Sequence, residues 1–451
     1  MNNYSAILDK HFHLSNLNIP RNILALILIE VICVIVITFK FTWGTTLIVG
    51  TLAAIITGIF ILRPYWNLIC YTFMVPFHPW IWETGISHLI LGMTFLLIIS
   101  ATFLILQERC EINITTLVQC LFLFLISLFL SLSVSVDLMN SFKELRTLIG
   151  LMMVVFLIRY LVDDIKKTQE VVIVLIIATA ISSMYAVVSI VISGIGRAGG
   201  FATDPNHFAL ELSMIIPLTI VTFQNTKGFL KRTLLLSVLT LFNITLLMTV
   251  SRGGILAVIS IFLFFLWRER RIKAALLGGI IGAIIIKFMV PQWVWQMFVV
   301  SERATSAASR LDILRAGFKI FLDHPILGVG LGNFRIVFPH YTTFYFTKYK
   351  QFYAHNTYLE ILTGVGLLGL ITYLLIIGWY FTHLHKCRKS LSYNNDRKTI
   401  RLVDGLEASM ISFLVASSFL SVLSYLHFWI ILGLGGALDK IVKKKMLTRC
   451  K

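Results

Sequence analysis

Charge is what this sequence has least of. Of 451 residues only 13% are Asp, Glu, Lys or Arg, while 58% are hydrophobic and the mean hydropathy is +0.88. Soluble domains carry roughly a quarter charged residues, so a water-soluble core is excluded. The six cysteines lack any pairing or metal-binding spacing. Cys33, Cys70 and Cys120 lie inside apolar runs, and Cys110, Cys387 and Cys450 in or near basic loops; they read as small hydrophobes and free thiols. Also missing are a Walker-type glycine loop, a zinc motif, a Gly-x-Ser-x-Gly elbow, an internal repeat and a low-complexity tract, which removes the chemistries those patterns carry. The first 20 residues hold Lys10, His11 and His13 without an apolar core or a small-residue cleavage site. No cleaved signal peptide is expected, and the first apolar run reads as a retained anchor.

What is present is a succession of apolar runs near the length of about 20 residues that a bilayer requires. They fall at 23–39, 43–62, 65–82, 87–107, 114–136, 147–162, 169–193, 207–224, 233–250, 253–267, 274–292, 356–382, 405–424 and 426–439. The run at 65–82 contains two prolines and reads as broken or re-entrant, and the last is short and glycine-rich. Gly278, Gly279 and Gly282 read as helix-packing positions. The expected fold is an all-α polytopic integral membrane protein with about 12–14 transmembrane helices plus one large periplasmic loop with short amphipathic helices. Its divisions are N-terminal transmembrane helices in 1–290, the loop in 291–354, and C-terminal transmembrane helices with a basic cytoplasmic tail in 355–451.

The formal net charge of +18 is a matter of sidedness. With the N-terminus inside, the alternation of runs puts Arg63, Arg109, Lys166, Lys167, Lys227, Lys231, Arg232 and the basic stretches 268–273, 386–401 and 443–451 in the cytoplasm. About two-thirds of all Lys and Arg then lie inside, as the positive-inside rule requires. Both termini are expected in the cytoplasm, and no nucleic-acid partner is called for.

Under this orientation the outer loop 291–354 is long for a membrane connection, which points to function. Within it, 306–323 shows Leu311, Leu314, Phe318, Phe321 and Leu322 at helical spacing, an amphipathic helix suited to the membrane interface. Arg310 and Arg315 fall about 70° to either side of that stripe, so both are expected to face headgroups or a bound anion while the stripe stays buried. The following DHPILGVGLGNF, 323–334, supplies a proline and three glycines and reads as turns.

Three runs that pass from outside to inside start with polar residues of one character: RAGGFATDPNH at 197–207, SRGG at 251–254, and His355 with Asn356. A helix N-terminus carries free N–H groups and partial positive charge, which suits an anion. Arg197, Arg252, Arg310 and Arg315 add guanidinium charge fit for a diphosphate, so the expected ligand is a lipid-linked diphosphate approached from the outer face. Plainer readings stand beside this one. Asp204 and Asn206 are good helix caps, Arg197 and Arg252 suit headgroup anchors, and His355 suits a hydrogen-bonded boundary residue. His207, His324, His340 and His427 read as structural or loop residues. Glu360 lies about 140° around the helix from His355 and reads as a core or packing polar residue. Glu30 is the deep acid that a transporter would need.

His355, Asn356, nine residues, Gly366, two residues and Gly369 resemble in full the pattern of the bacterial O-antigen ligase and polymerase superfamily. SRGG at Ser251, the stretch from Arg310 to Phe334 and DPNHFAL at Asp204 are similar to the same family's blocks. The resemblance covers about 197–369 in motif and nearly the whole chain in topology. It implies a glycosyltransferase of the bacterial inner membrane, working on the periplasmic face by metal-independent, inverting transfer with no cofactor. The donor would be an undecaprenyl-diphosphate-linked glycan, and the acceptor a lipid A-core or glycan hydroxyl. In that scheme His355 is the base, Arg252 with Arg310 or Arg315, and Arg197, neutralise the diphosphate, and Asn356, Asn206 and Ser251 support them. The full His355 spacing favours a ligase; a repeat-unit polymerase, a protein O-glycosylating enzyme and a lipid-linked glycan transporter are the alternatives.

Overall fold

A computed structural model describes residues 62–77, 115–193, 196–202, 204–269, 303–342, 353–393 and 395–449, with isolated positions between 57 and 102. The runs at 23–39 and 274–292 and most of those at 43–62 and 87–107 lie outside the described residues, with Glu30, Gly278, Gly279, Gly282, Cys33, Cys110, Cys450 and the loop portions 291–302 and 343–352. The chain divides into two units, Met1–Pro64 and Tyr65–Lys451, and the second holds nearly all the described residues.

All the elements among the described residues are helical. They are α1 (Pro64–Met74), α2 (Thr116–Leu132), α3 (Leu138–Leu161), α4 (Ile165–Ser193), α5 (Pro205–Asn225), α6 (Phe229–Met248), α7 (Arg252–Glu269), α8 (Arg303–Asp323), α9 (Phe334–Val337), α10 (Thr357–Tyr393), α11 (Arg397–Ala416) and α12 (Leu426–Arg449). Among the described residues four stretches are long and apolar enough to cross a membrane: Ile165–Ile192, Pro205–Asn225, Phe229–Met248 and Thr357–Tyr393.

Caps explain where the helices begin. Asp137 accepts from the Asn140 N–H at 3.0 Å and starts α3, ahead of the apolar run at 147–162, because the first turns carry Asn140, Lys143 and Glu144. Asp204 accepts from the N–H groups of Asn206 (2.6 Å) and His207 (3.3 Å), with Pro205 at the first helical position. The proline-bearing run breaks as its sequence requires, α1 passing into the 3-10 turn Val75–Phe77 around Pro76.

Two expectations about the C-terminal part are corrected. The basic stretch from Lys386 is not a loop: α10 continues to Tyr393 and α11 starts at Arg397, since charged residues prolong a helix readily outside hydrocarbon. The short glycine-rich run becomes the 24-residue α12, with Phe428, Trp429, Ile430, Ile431, Leu432 and Leu434 all fully buried. Its glycines admit close neighbours, Gly433 facing Ile158 and Gly436 facing Leu117.

Around this core α5 packs on α11, α2 on α10, α3 on α12 and α7 on α11. Small polar residues join α5 to α11: Ser409 donates to the Met214 carbonyl at 2.7 Å and Ser412 meets Ser213 at 2.8 Å. Outward-facing apolar residues such as Phe122, Ile177, Val191, Leu234 and Leu263 form the surface that lipid would cover.

The helix ends sort into two groups. At one end Arg197 reaches Thr249, Tyr425 reaches His207, and Thr357 reaches Ser417 and Leu420. At the other, Arg401 bonds the Gln224 carbonyl, and Arg268 and Arg388 both hold Asp404. The starts of α5, α7 and α10 therefore share one end of the bundle, as the alternation of runs requires.

Candidate active site at the helix starts

Helix α8 is the first piece of the site, and it has a protein-facing side besides the apolar stripe read from the sequence. The buried side is Ile313, Ala316 and Ile320, packed with Phe334, Phe338, Ala354 and Leu359. Leu311, Leu314, Phe318 and Leu322 are 43–60% exposed, so the apolar stripe faces away from the protein, the side that a membrane interface would cover. The helix is apolar on two faces, and the smaller one faces protein because Gly317 lets Leu359 of α10 come into contact.

The turn-rich stretch after α8 is stitched into a break in α10. Gly366 has φ 73° and ψ −168°, a conformation open essentially to glycine alone. The break frees backbone groups on both sides, and the loop satisfies them. Val329 and Gly330 N–H groups donate to the Thr363 and Gly364 carbonyls (2.9 and 3.0 Å), and Leu367 and Leu368 donate to Pro325 and Ile326 (2.8 and 3.4 Å). Asn333, fully buried, pins the loop to the start of α3: its amide donates to Ser135 at 2.9 Å and Val329 O at 3.1 Å, and its oxygen accepts from Asn140 at 3.0 Å. The Gly366 half of the His-Asn pattern thus has a backbone purpose.

His355 stands just ahead of α10 in the left-handed region, with φ 47°. Val250, just ahead of the Ser251-Arg252 start of α7, has φ 53°, which is unusual for a β-branched residue. Asn356 caps α10, its oxygen accepting from the Leu359 N–H at 3.0 Å; Ser251 does the same for α7 through Gly254 at 3.3 Å.

Charge gathers around His355. Its side chain is exposed at the rim, yet the surrounding protein, then the Arg310 guanidinium, hold its pKa below the ordinary imidazole value, while Asp204 pulls the other way and His207 adds to the lowering. Arg197 is subject to the same groups: burial lowers its pKa, Asp204 raises it and Arg310 lowers it. Arg197 donates to the Thr249 carbonyl at 2.7 Å and to the Asn206 oxygen at 3.1 Å, so the first two helix starts are tied through it. Arg252 follows that tied turn and is exposed. Arg315 stands apart, about 140° around α8 from Arg310, largely exposed and 3.7 Å from Asp312.

Beside this cluster lies a cavity of about 280 Å³. Glu144, Glu211, Glu360, His207, His427 and Tyr353 line it, with the turn 421–426. Glu360, read from the sequence as a packing residue, and His207 and His427, read as structural or loop residues, all line this cavity. Glu211 is 1% exposed and its oxygen accepts from Thr179 at 2.9 Å; an acid this deep in an apolar run was the available signal.

Comparison with curated proteins finds no match to the chain. The family model described as O-Antigen ligase matches residues 235–374, the span that holds Arg252, Arg310, the stitched loop, His355 and the break in α10, so this segment is similar to that family.

Proposed function

We propose that the protein is a membrane glycosyltransferase that moves a glycan from undecaprenyl diphosphate to an acceptor sugar hydroxyl, with a lipid A-core as acceptor, on the periplasmic face of the bacterial inner membrane. The observation that carries this reading is His355, set in a left-handed turn at a helix start, its pKa held below the ordinary imidazole value by the surrounding protein and then by the Arg310 guanidinium. A neutral imidazole accepts a proton at physiological pH.

In the reaction His355 takes the hydroxyl proton as the acceptor oxygen bonds to the anomeric carbon. The bond from that carbon to the diphosphate oxygen breaks, the configuration inverts, and undecaprenyl diphosphate leaves. Arg310 and Arg197 face the departing charge, with Arg252 on the adjoining turn, and stabilise it as preorganised donors. Asn206 and the Thr249 carbonyl hold Arg197 in place, Ser251 and Asn356 cap the two helices, and Arg315 serves at the outer flank. The chemistry asks nothing of a metal, so transfer is expected to persist in EDTA.

The test is an assay of the full-length protein with defined undecaprenyl-diphosphate glycan and a lipid A-core acceptor. His355→Ala should lower transfer about 10²-fold or more with membrane insertion unchanged. Full activity in that variant removes the base from the scheme, and transfer only onto a second lipid-linked glycan replaces the ligase with a polymerase.

A further inference from the structure

The cavity beside His355 is built for something other than the diphosphate. Among the described residues no Lys or Arg lines it, whereas Glu144, Glu211 and Glu360 come to it from α3, α5 and α10. Three carboxyl groups give a diphosphate no cationic donor to pair with. They do match hydroxyl groups: a carboxylate offers about four acceptor positions, and Glu211 has a partner in Thr179 at one oxygen.

His427 supplies an independent sign. It is 2% exposed, lines the cavity, and neither ring nitrogen has a hydrogen-bond partner among the described residues. Buried polar atoms are rarely left so, and an imidazole presents one donor and one acceptor, the pairing that a hydroxyl completes. Tyr353, about half exposed at the mouth, adds a ring face for apolar C–H groups. A cation is the other occupant an acidic cavity invites, but no three His, Cys, Asp or Glu groups among the described residues are arranged to hold one. The volume of about 280 Å³ gives room for a ring-sized ligand.

We infer that this cavity is a subsite for one uncharged sugar ring of the glycan substrates, held through its hydroxyls by Glu211, Glu360 and His427. The inference rests on the glycosyltransferase reading above. It divides the site in two: arginines for the charged leaving group, acids and an imidazole for the neutral sugar.

Binding tests it without turnover. Full-length protein in lipid nanodiscs is probed by saturation-transfer NMR with the methyl glycosides of glucose, galactose, rhamnose and N-acetylglucosamine, and separately with undecaprenyl diphosphate bearing no sugar. At least one glycoside should bind. Glu211→Gln and His427→Leu should weaken it about fivefold or more, the worth of one hydrogen bond, with undecaprenyl diphosphate still bound. Tyr353→Ala, at the exposed mouth, should weaken it with unchanged thermal unfolding, which guards against misfolding of the buried variants. No binding by any glycoside, or equal binding in all three variants, overturns the inference. In the transfer assay a raised KM for the acceptor assigns the ring to the acceptor, a raised KM for the lipid-linked donor assigns it to the donor, and no change in either overturns it. His355→Ala should keep glycoside binding; activity surviving in that variant removes the base and leaves the cavity standing.

Discussion

At the scale of single residues, His355 and Arg310 are set against each other. Protonation of His355 next to a guanidinium costs free energy, so the imidazole loses its proton at a lower pH than the ordinary value of about 6.5. Transfer by a neutral base is lost as pH falls through that lowered pKa, so the acid limb of kcat/KM should lie below about 6.5. Arg310→Ala removes a group that depresses it, and the limb should move to higher pH while the KM for the lipid-linked donor rises. Arg315→Ala, on the other flank with Asp312 for company, should leave the limb where it is and change donor KM less. A pH–rate profile of the two variants separates these outcomes; identical shifts would place both arginines at the same distance from the base.

At the scale of elements, the loop stitched to α10 makes Gly366 the position least tolerant of a side chain. A Cβ there would collide with the Ile326 carbonyl, on a backbone with φ 73° and ψ −168°. Gly366→Ala should lower stability by about 1–3 kcal/mol from backbone strain alone, and more with the collision, seen as a lower Tm in detergent. Gly378→Ala, twelve residues on in the same helix with open space around it, should be neutral or stabilise by up to about 1 kcal/mol. The element starts are legible in the sequence because capping is local: Asp204, Ser251 and Asn356 announce their helices within four residues. The faces of α8 are not, for the opposite reason. Its protein-facing side is the less apolar one by sequence, Ile313, Ala316, Gly317 and Ile320, and only the contact with Leu359 shows which side turns inward. The cavity is illegible because Glu144, Glu211, Glu360 and His427 come from four helices, and no spacing along the chain records their meeting.

At the scale of the molecule, the two ends of the bundle carry different chemistry. Arg268, Arg388 and Arg401 gather with Asp404 and Glu407 at one end, and the helix starts with His355 at the other. The positive-inside rule predicts that the first end faces the cytoplasm. In a variant without native cysteines, Lys319→Cys on the exposed side of α8 should react with a membrane-impermeant maleimide in spheroplasts. Tyr393→Cys, 97% exposed at the end of α10, should react only after permeabilisation. The reverse pattern would invert the orientation and put transfer on the cytoplasmic face.

The strand-like pairing of 325–330 with 363–368 has a dynamic consequence. Helix α8 with Arg310 enters that pairing from one side, and α10 with His355 enters it from the other. Four amides, those of Val329, Gly330, Leu367 and Leu368, close it, so they open to solvent deuterium only when the pairing itself separates. They should therefore exchange at one common slow rate, as a cooperative unit does, and Gly366→Ala should accelerate all four together. Base and guanidinium would then keep their spacing or lose it as one event.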